Sequence, residues 1–239
     1  MADADQPKIY DPPNAPLAAQ RSEVRANFGR QVSARLDSAG GLWRLCSSPD
    51  TRVQLYVGNN FLAPEHCRRI CELIDSDSHP SPLYEKEKYE GVRTSYTCNL
   101  DPSDPLVAEV NARITNLLGL DPAFGEPLSG QRYEVGQQFK EHADFFYIDA
   151  AYWPLYEPQG GQRTWTAMIY LNKPESGGAT GFKHLNLALE PAVGRILVWN
   201  NMAEDGSPNP WTLHEGQPVE RGSKYIVTKW FRERTFVNV

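Results

Sequence analysis

Lys224-Tyr225-Ile226-Val227-Thr228-Lys229-Trp230 reads as a strand whose two-residue alternation puts Lys224, Ile226, Thr228 and Trp230 on one face. Two upstream runs share its β-rich character, Thr164 to Leu171 and Arg195 to Asn200, with Gly, Pro and Asn clusters between them. Helical periodicity stops near residue 128. Before that point, Pro64 precedes the stripe Cys67, Ile70, Cys71 and Ile74. Asp104-Pro105 likewise precedes Val107, Val110, Ile114 and Leu117, with Gly119 as terminator, so two capped amphipathic helices are expected. Helices in the first half and strands in the second predict an α+β fold, a jelly-roll (cupin-like) core buttressed on one outer face by the N-terminal helices.

Residues 1–50 read as an extension to a domain spanning 51–239. A Pro-rich lead (Pro7, Pro12, Pro13, Pro16) gives way to Val24, Phe28, Val32 and Leu36 at helical spacing, stopped by Gly40-Gly41. This segment is expected to add a helix packed on the domain. Lys+Arg 24 against Asp+Glu 30 gives a net charge of −6, which argues against general affinity for nucleic acid or an anionic membrane. Met1 to Pro7 has neither a cationic nor an apolar leader character, and no stretch approaches the roughly 18 apolar residues of a membrane span, so a cytoplasmic protein is expected. Cys67 and Cys71 sit four apart without a partner pair at zinc-ligand spacing and are expected to be buried thiols; Cys46 and Cys98 carry no pattern.

The chemistry concentrates in His142-x-Asp144, His214 and Lys224. On a strand, residues two apart share a face, so His142 and Asp144 can reach one ion. Two imidazoles and one carboxylate leave three positions open on a metal, the arrangement of a non-haem Fe(II) oxygenase. Lys224 heads an inward face, where an unpaired ammonium is costly and a dicarboxylate such as 2-oxoglutarate would neutralise it. A lysine snorkelling to the barrel rim is the plainer alternative.

The run His214-x-Gly216-x-Pro218-Val219-x-x-Gly222-x-Lys224, ending Thr228-Lys229-Trp230, resembles the C-terminal signature of the prolyl 4-hydroxylase branch of the Fe(II)/2-oxoglutarate dioxygenases. Arg132-Tyr133-x-x-Gly136-Gln137, His142-x-Asp144-Phe145-Phe146, Arg163-x-x-Thr166-x-x-x-Tyr170-Leu171-Asn172 and Gly177-Gly178-Ala179-Thr180-x-Phe182 match its other elements in order, from about Asn60 to Arg232. The resemblance implies a double-stranded β-helix with Fe(II) on His142, Asp144 and His214. It implies 2-oxoglutarate and O₂ as cosubstrates, the distal carboxylate on Lys224 with help from Tyr133 and Thr180, and Trp230 counted with these cofactor-binding residues; ascorbate is expected as an accessory. Ala179 stands where the family usually has glutamate, and Tyr225 where tryptophan is common. With Asp144 present, hydroxylation is expected over halogenation.

Substrate residues are expected in two places. Phe145 to Tyr156 is rich in aromatics and reads as a candidate lid or rim suited to an extended proline-containing peptide, with Tyr147 and Trp153 as candidate contacts and Arg163 beyond it; the alternative is aromatic closure of one barrel end. Pro82 to Gly91 reads as a second flap before Arg93, which could line the groove. Prolyl hydroxylation in a peptide or protein is the expected activity, with a free amino acid or other small molecule as the second reading and a non-catalytic jelly-roll binding module as the third. His66, His79 and His184 fall outside the matching motifs. The sequence does not fix the oligomeric state.

Overall fold

The computed structural model describes residues 20–44, 52–81 and 91–238. The Pro-rich lead, Cys46 and nearly all of the Pro82 to Gly91 flap lie outside them. Four helices are present among the described residues, α1 (Glu23–Ser38), α2 (Pro64–Ser76), α3 (Pro105–Leu118) and the single turn α4 (Trp153–Tyr156). The strands are β1 (Leu42–Arg44), β2 (Leu55–Gly58), β3 (His79–Pro80), β4 (Tyr96–Asn99), β5 (Ser129–Tyr133), β6 (Phe139–His142) and β7 (Arg163–Tyr170). They continue as β8 (Ser176–Gly177), β9 (Thr180–Phe182), β10 (Leu187–Leu189), β11 (Ile196–Asn200), β12 (His214–Gly216), β13 (Val219–Arg221) and β14 (Lys224–Arg232).

An eight-stranded sheet in the order β1-β2-β11-β7-β14-β5-β4-β3 faces a four-stranded sheet, β10-β9-β12-β6, and β13-β8 form a short third ladder. Neighbours in these sheets run antiparallel. Two opposed antiparallel sheets with helices on one side fulfil the α+β jelly-roll expectation. The three sequence runs become β7, β11 and β14, at the centre of the large sheet, which is why both of their faces are buried.

Alternation sorts these strands between two cores. Trp165, Ala167, Ile169, Val198, Val227 and Phe231 meet Ile70, Ile74, Val110 and Ile114 of the helices. Met168, Tyr170, Leu197, Trp199 and Ile226 turn the other way, toward Phe182 of the small sheet. Truncating a fully buried member such as Ile114 to alanine is expected to cost about 2–5 kcal/mol.

Helix α3 forms as its sequence dictates. The Asp104 side chain accepts from the amides of Leu106 and Val107, Pro105 occupies the first turn, and Gly119 closes the helix in the left-handed region at φ 68°. In α2, Cys67, Ile70 and Ile74 are buried while Cys71 is only half-buried.

The α1 stripe differs at its start. Val24 is 57% exposed, and the buried face is Ala26, Gly29, Val32, Ser33 and Leu36. Small residues lead this face because α1 approaches the sheet closely: a Cβ on Gly29 would come within 2.9 Å of Asn200 Nδ2. Both α1 and β1 precede residue 50 and pack on the rest of the fold. Val32 and Leu36 join the helix-side core, and β1 extends the large sheet beside β2.

Candidate active site

The site is built where β6 meets β12. His142 ends β6, His214 opens β12, and the two are register partners, so their rings face each other with centroids 4.3 Å apart. Asp144 lies just past the end of β6, so it reaches the same spot from the turn rather than from the strand itself. Nε2 of each histidine stands 3.9 Å from a different oxygen of the Asp144 carboxylate, and the three donor atoms lie within 4.8 Å of one another.

Backbone carbonyls set both imidazole tautomers. His142 Nδ1 is 2.9 Å from the Lys140 carbonyl oxygen and His214 Nδ1 is 3.0 Å from that of Thr212. A carbonyl only accepts, so each Nδ1 carries the hydrogen and each Nε2 presents a lone pair toward Asp144. Burial, followed by the neighbouring His214, pushes His142 down to about 3, which keeps it a neutral donor at physiological pH. Burial alone would raise Asp144, but His214, His142 and Arg163 together with the Thr166 hydroxyl hold it below the usual carboxylate range. Two neutral imidazole nitrogens and an ionised carboxylate oxygen are a donor set suited to Fe(II).

Next to this trio, the two sheets flank a cavity that opens to solvent. Lys224 enters it from β14. Only 1% of the residue is exposed, and Tyr133, its register partner on β5, places its ring 5.1 Å from Nζ, with Tyr170 at 5.6 Å. Among the described residues the ammonium has no ion pair and no hydrogen bond, and burial lowers it to about 7. A buried cation facing a cavity is a receptor for an anion. Thr180 also lines this cavity, with its Oγ1 2.6 Å from the Tyr170 hydroxyl, which in turn is 2.8 Å from the Leu189 carbonyl oxygen. Backbone contact is tight here. Gly178 runs at φ +77°, and a Cβ there would come within 3.2 Å of Lys224 Cδ. The adjacent Ala179 is itself buried.

The structure distributes the expected substrate residues unevenly. Arg93 lines the cavity, donates to the hydroxyls of Ser95 and Thr97 at 3.0 Å each, and lies over the Phe139 ring. Arg163 stands outside the lining. It forms a bidentate pair with Glu126 at 2.6 and 2.7 Å, and its guanidinium stacks 4.1 Å above Trp230. Tyr147 and Trp153 are also off the cavity wall, half-exposed on the aromatic stretch, whereas Phe145 and Phe146 are buried, with Phe146 held by reciprocal hydrogen bonds to Gln162. The stretch packs on itself, with Phe146 against Tyr152, Trp153 and Tyr156, and contributes no side chain to the cavity lining.

Trp230 lines the cavity six positions along the strand from Lys224, a rise of about 20 Å. Its register partner on β7 is Thr166, whose hydroxyl bonds Asp144, so Trp230 neighbours the strand position that supports the metal-ligand trio. Gln131 was missed by the sequence reading, whereas parity had put Thr228 on the inward face without a role. Both line the cavity and bond to each other at 3.0 Å, and the pairing of β5 with β14 brings them together.

An open-sided trio of two histidines and a carboxylate, in a jelly roll with a buried lysine at the far side, defines a mononuclear non-haem metal oxygenase. Comparison with known proteins agrees. Residues 128–232 match the family model of the 2OG-Fe(II) oxygenase superfamily. The chain is 30% identical to probable prolyl 4-hydroxylase 3 of Arabidopsis thaliana, with 85% of this chain and 78% of that one covered. It is 34% identical to the rat prolyl 4-hydroxylase subunit alpha-3 over 76% of its own length, but spans only 34% of that subunit.

Among solved structures, a viral collagen prolyl hydroxylase from Paramecium Bursaria Chlorella virus-1, as its 2OG complex, aligns at TM-score 0.57 with 24% identity, covering 78% of this chain and 97% of that one. A Pseudomonas putida prolyl-4-hydroxylase aligns at 0.55 with 20% identity, covering 84% and 99%. The chain belongs to the prolyl 4-hydroxylase-like 2OG-Fe(II) oxygenases. Membership brings Fe(II), 2-oxoglutarate and O₂, and the donor trio fits the metal.

Proposed function

We propose that this protein hydroxylates a prolyl residue in a peptide or protein, consuming 2-oxoglutarate and O₂ and releasing succinate and CO₂. The observation that carries the chemistry is the pairing of two features in one cavity, the His142, Asp144 and His214 donors and the buried Lys224 ammonium. When bound, Fe(II) with 2-oxoglutarate and O₂ supplies the oxidising power that inserts oxygen into a substrate C–H bond.

The chain's own groups bind, orient and exclude. His142, Asp144 and His214 hold the metal; Lys224 pairs with the distal carboxylate of 2-oxoglutarate, with Tyr133 and Thr180 beside it. Phe139 stacks on His142 with ring centroids 3.5 Å apart, and Trp199 packs at 4.9 Å against His214, so the ligand rings keep their orientation and water is kept from their outer faces. Arg93 and Trp230 line the substrate side. The relatives named as prolyl 4-hydroxylases support a peptide substrate over a small molecule. Ascorbate as an accessory belongs to the same reading.

The test is turnover of a proline-rich peptide library with Fe(II), 2-oxoglutarate and ascorbate under air, read by mass spectrometry. Addition of one oxygen to proline, matched by succinate, is expected; succinate formed only with small metabolites, and no modified peptide, would overturn the substrate assignment.

A further inference from the structure

Thr166 lies in mid-β7 and Asn201 just beyond β11, and both are 0% exposed. Thr166 is paired with Trp199 on one neighbouring strand and with Trp230 on the other. A hydroxyl buried this deeply needs partners. Thr166 has two: its Oγ1 donates to Asp144 Oδ2 at 2.7 Å and accepts from Asn201 Nδ2 at 2.9 Å.

The order of donors follows from chemistry. An amide nitrogen can only donate, so Asn201 occupies a lone pair of Thr166 and leaves the single hydroxyl hydrogen to the carboxylate. Asn201 is in turn fixed through its backbone, its amide donating to the Thr164 carbonyl at 2.7 Å and its carbonyl accepting from the Asn209 amide at 2.9 Å. The chain of bonds therefore runs from rigid backbone to one particular oxygen of the Asp144 carboxylate.

We infer that Thr166, set by Asn201, is the positioning residue that fixes the Asp144 carboxylate for metal binding. This inference rests on the metal-site reading above. With Oδ2 committed to the hydroxyl, the carboxylate is held against rotation and Oδ1 stays available to the metal, whereas an unrestrained carboxylate could turn and engage with both oxygens. Outer-shell partners of this kind are typically worth about 10–100-fold in metal affinity.

The experiment is Mn(II) binding to the full chain, followed by the electron paramagnetic resonance of the free ion, for the wild type, Thr166→Val, Thr166→Ser and Asn201→Ala. Thr166→Val, which keeps the shape and removes the hydroxyl, is expected to bind about 10–100-fold more weakly, Thr166→Ser to restore most of the affinity, and Asn201→Ala to show a smaller loss in the same direction. Circular dichroism and urea unfolding of the metal-free proteins establish that each variant is folded. Affinity of Thr166→Val equal to wild type would overturn the inference, and so would Thr166→Ser as weak as Thr166→Val, since the methyl group rather than the hydroxyl would then matter. Should Thr166→Val not fold, unchanged affinity in Asn201→Ala overturns it. A wild type that binds no Mn(II) defeats the metal-site reading itself, and this inference with it.

Discussion

His142 and His214 face one another in register across β6 and β12, and each is turned by a backbone carbonyl two residues before it in the chain. The symmetry makes the metal site a property of paired strands more than of loops, so it is preorganised before any ion arrives. His142→Ala removes one donor without touching the carbonyl that holds the other ring. Anaerobic wild type loaded with Fe(II) and 2-oxoglutarate should show the weak visible charge-transfer band of a chelated keto acid. The variant should lose that band while keeping its far-ultraviolet circular dichroism.

Lys224 gives the site a pH dependence with a definite sign. The unfolded chain keeps this proton to about pH 10.5 and the folded apo protein only to about 7, so stability climbs with pH between those values. Below pH 7 both states are protonated and the full cost of burying the ammonium stands, on the order of a few kcal/mol. Lys224→Met should therefore make the apo protein more stable than wild type at pH 6, with the difference shrinking as pH rises past 7, measured by urea unfolding.

The same lysine predicts how cosubstrate binding titrates. Above pH 7 the ammonium must regain its proton to pair with a carboxylate, so the Kd for 2-oxoglutarate should rise by about tenfold per pH unit when measured calorimetrically at saturating Mn(II). His142, neutral throughout this range, contributes nothing to that slope. Lys224→Ala should raise the 2-oxoglutarate requirement far more than it weakens metal binding; equal losses would remove Lys224 from the cosubstrate site.

Glu126 is the counter-ion of two arginines, the partly buried Arg163 at 2.6 Å and the buried Arg232 at 2.5 Å. Burial opposes its ionisation, but Arg163 and then Arg232 outweigh it and hold the carboxyl below the ordinary glutamate range. Its stabilisation is present above the unfolded value near pH 4.5 and is lost as pH falls through the lower folded value. Glu126→Ala leaves both guanidinium groups without this partner and should cost about 3–5 kcal/mol in urea unfolding at pH 7.

What the sequence made legible follows its periodicities. The caps of α3, the central strands and the donor trio all depend on spacings of a few residues, and these the chain displays openly. The supports do not. Glu126 lies 37 and 106 positions from its arginines, and Thr166 lies 22 from Asp144 and 35 from Asn201. Such pairs depend on which strands become neighbours, information that no local pattern carries. Val24 failed for a related reason: it keeps the helical spacing, but the close seat of Gly29 on the sheet turns it outward.

Trp230 and Lys224 line one cavity from positions six apart on β14, and substitution of Trp230 tests whether the two serve different ligands. Arg163, clamped by Glu126, stacks on the indole at 4.1 Å, so the ring is held in a fixed plane while part of it lines the cavity. Among the described residues its buried Nε1 has no hydrogen-bond partner. A residue about 20 Å along the strand from Lys224 should matter little to 2-oxoglutarate and much to the peptide. Trp230→Ala is therefore expected to raise KM for a proline-containing peptide by about tenfold, the loss of roughly 1.4 kcal/mol of uniform binding, with the 2-oxoglutarate requirement nearly unchanged. Steady-state kinetics with each substrate varied in turn decides the matter: an increase confined to 2-oxoglutarate would return Trp230 to the cofactor-binding set and shift the peptide groove toward Arg93.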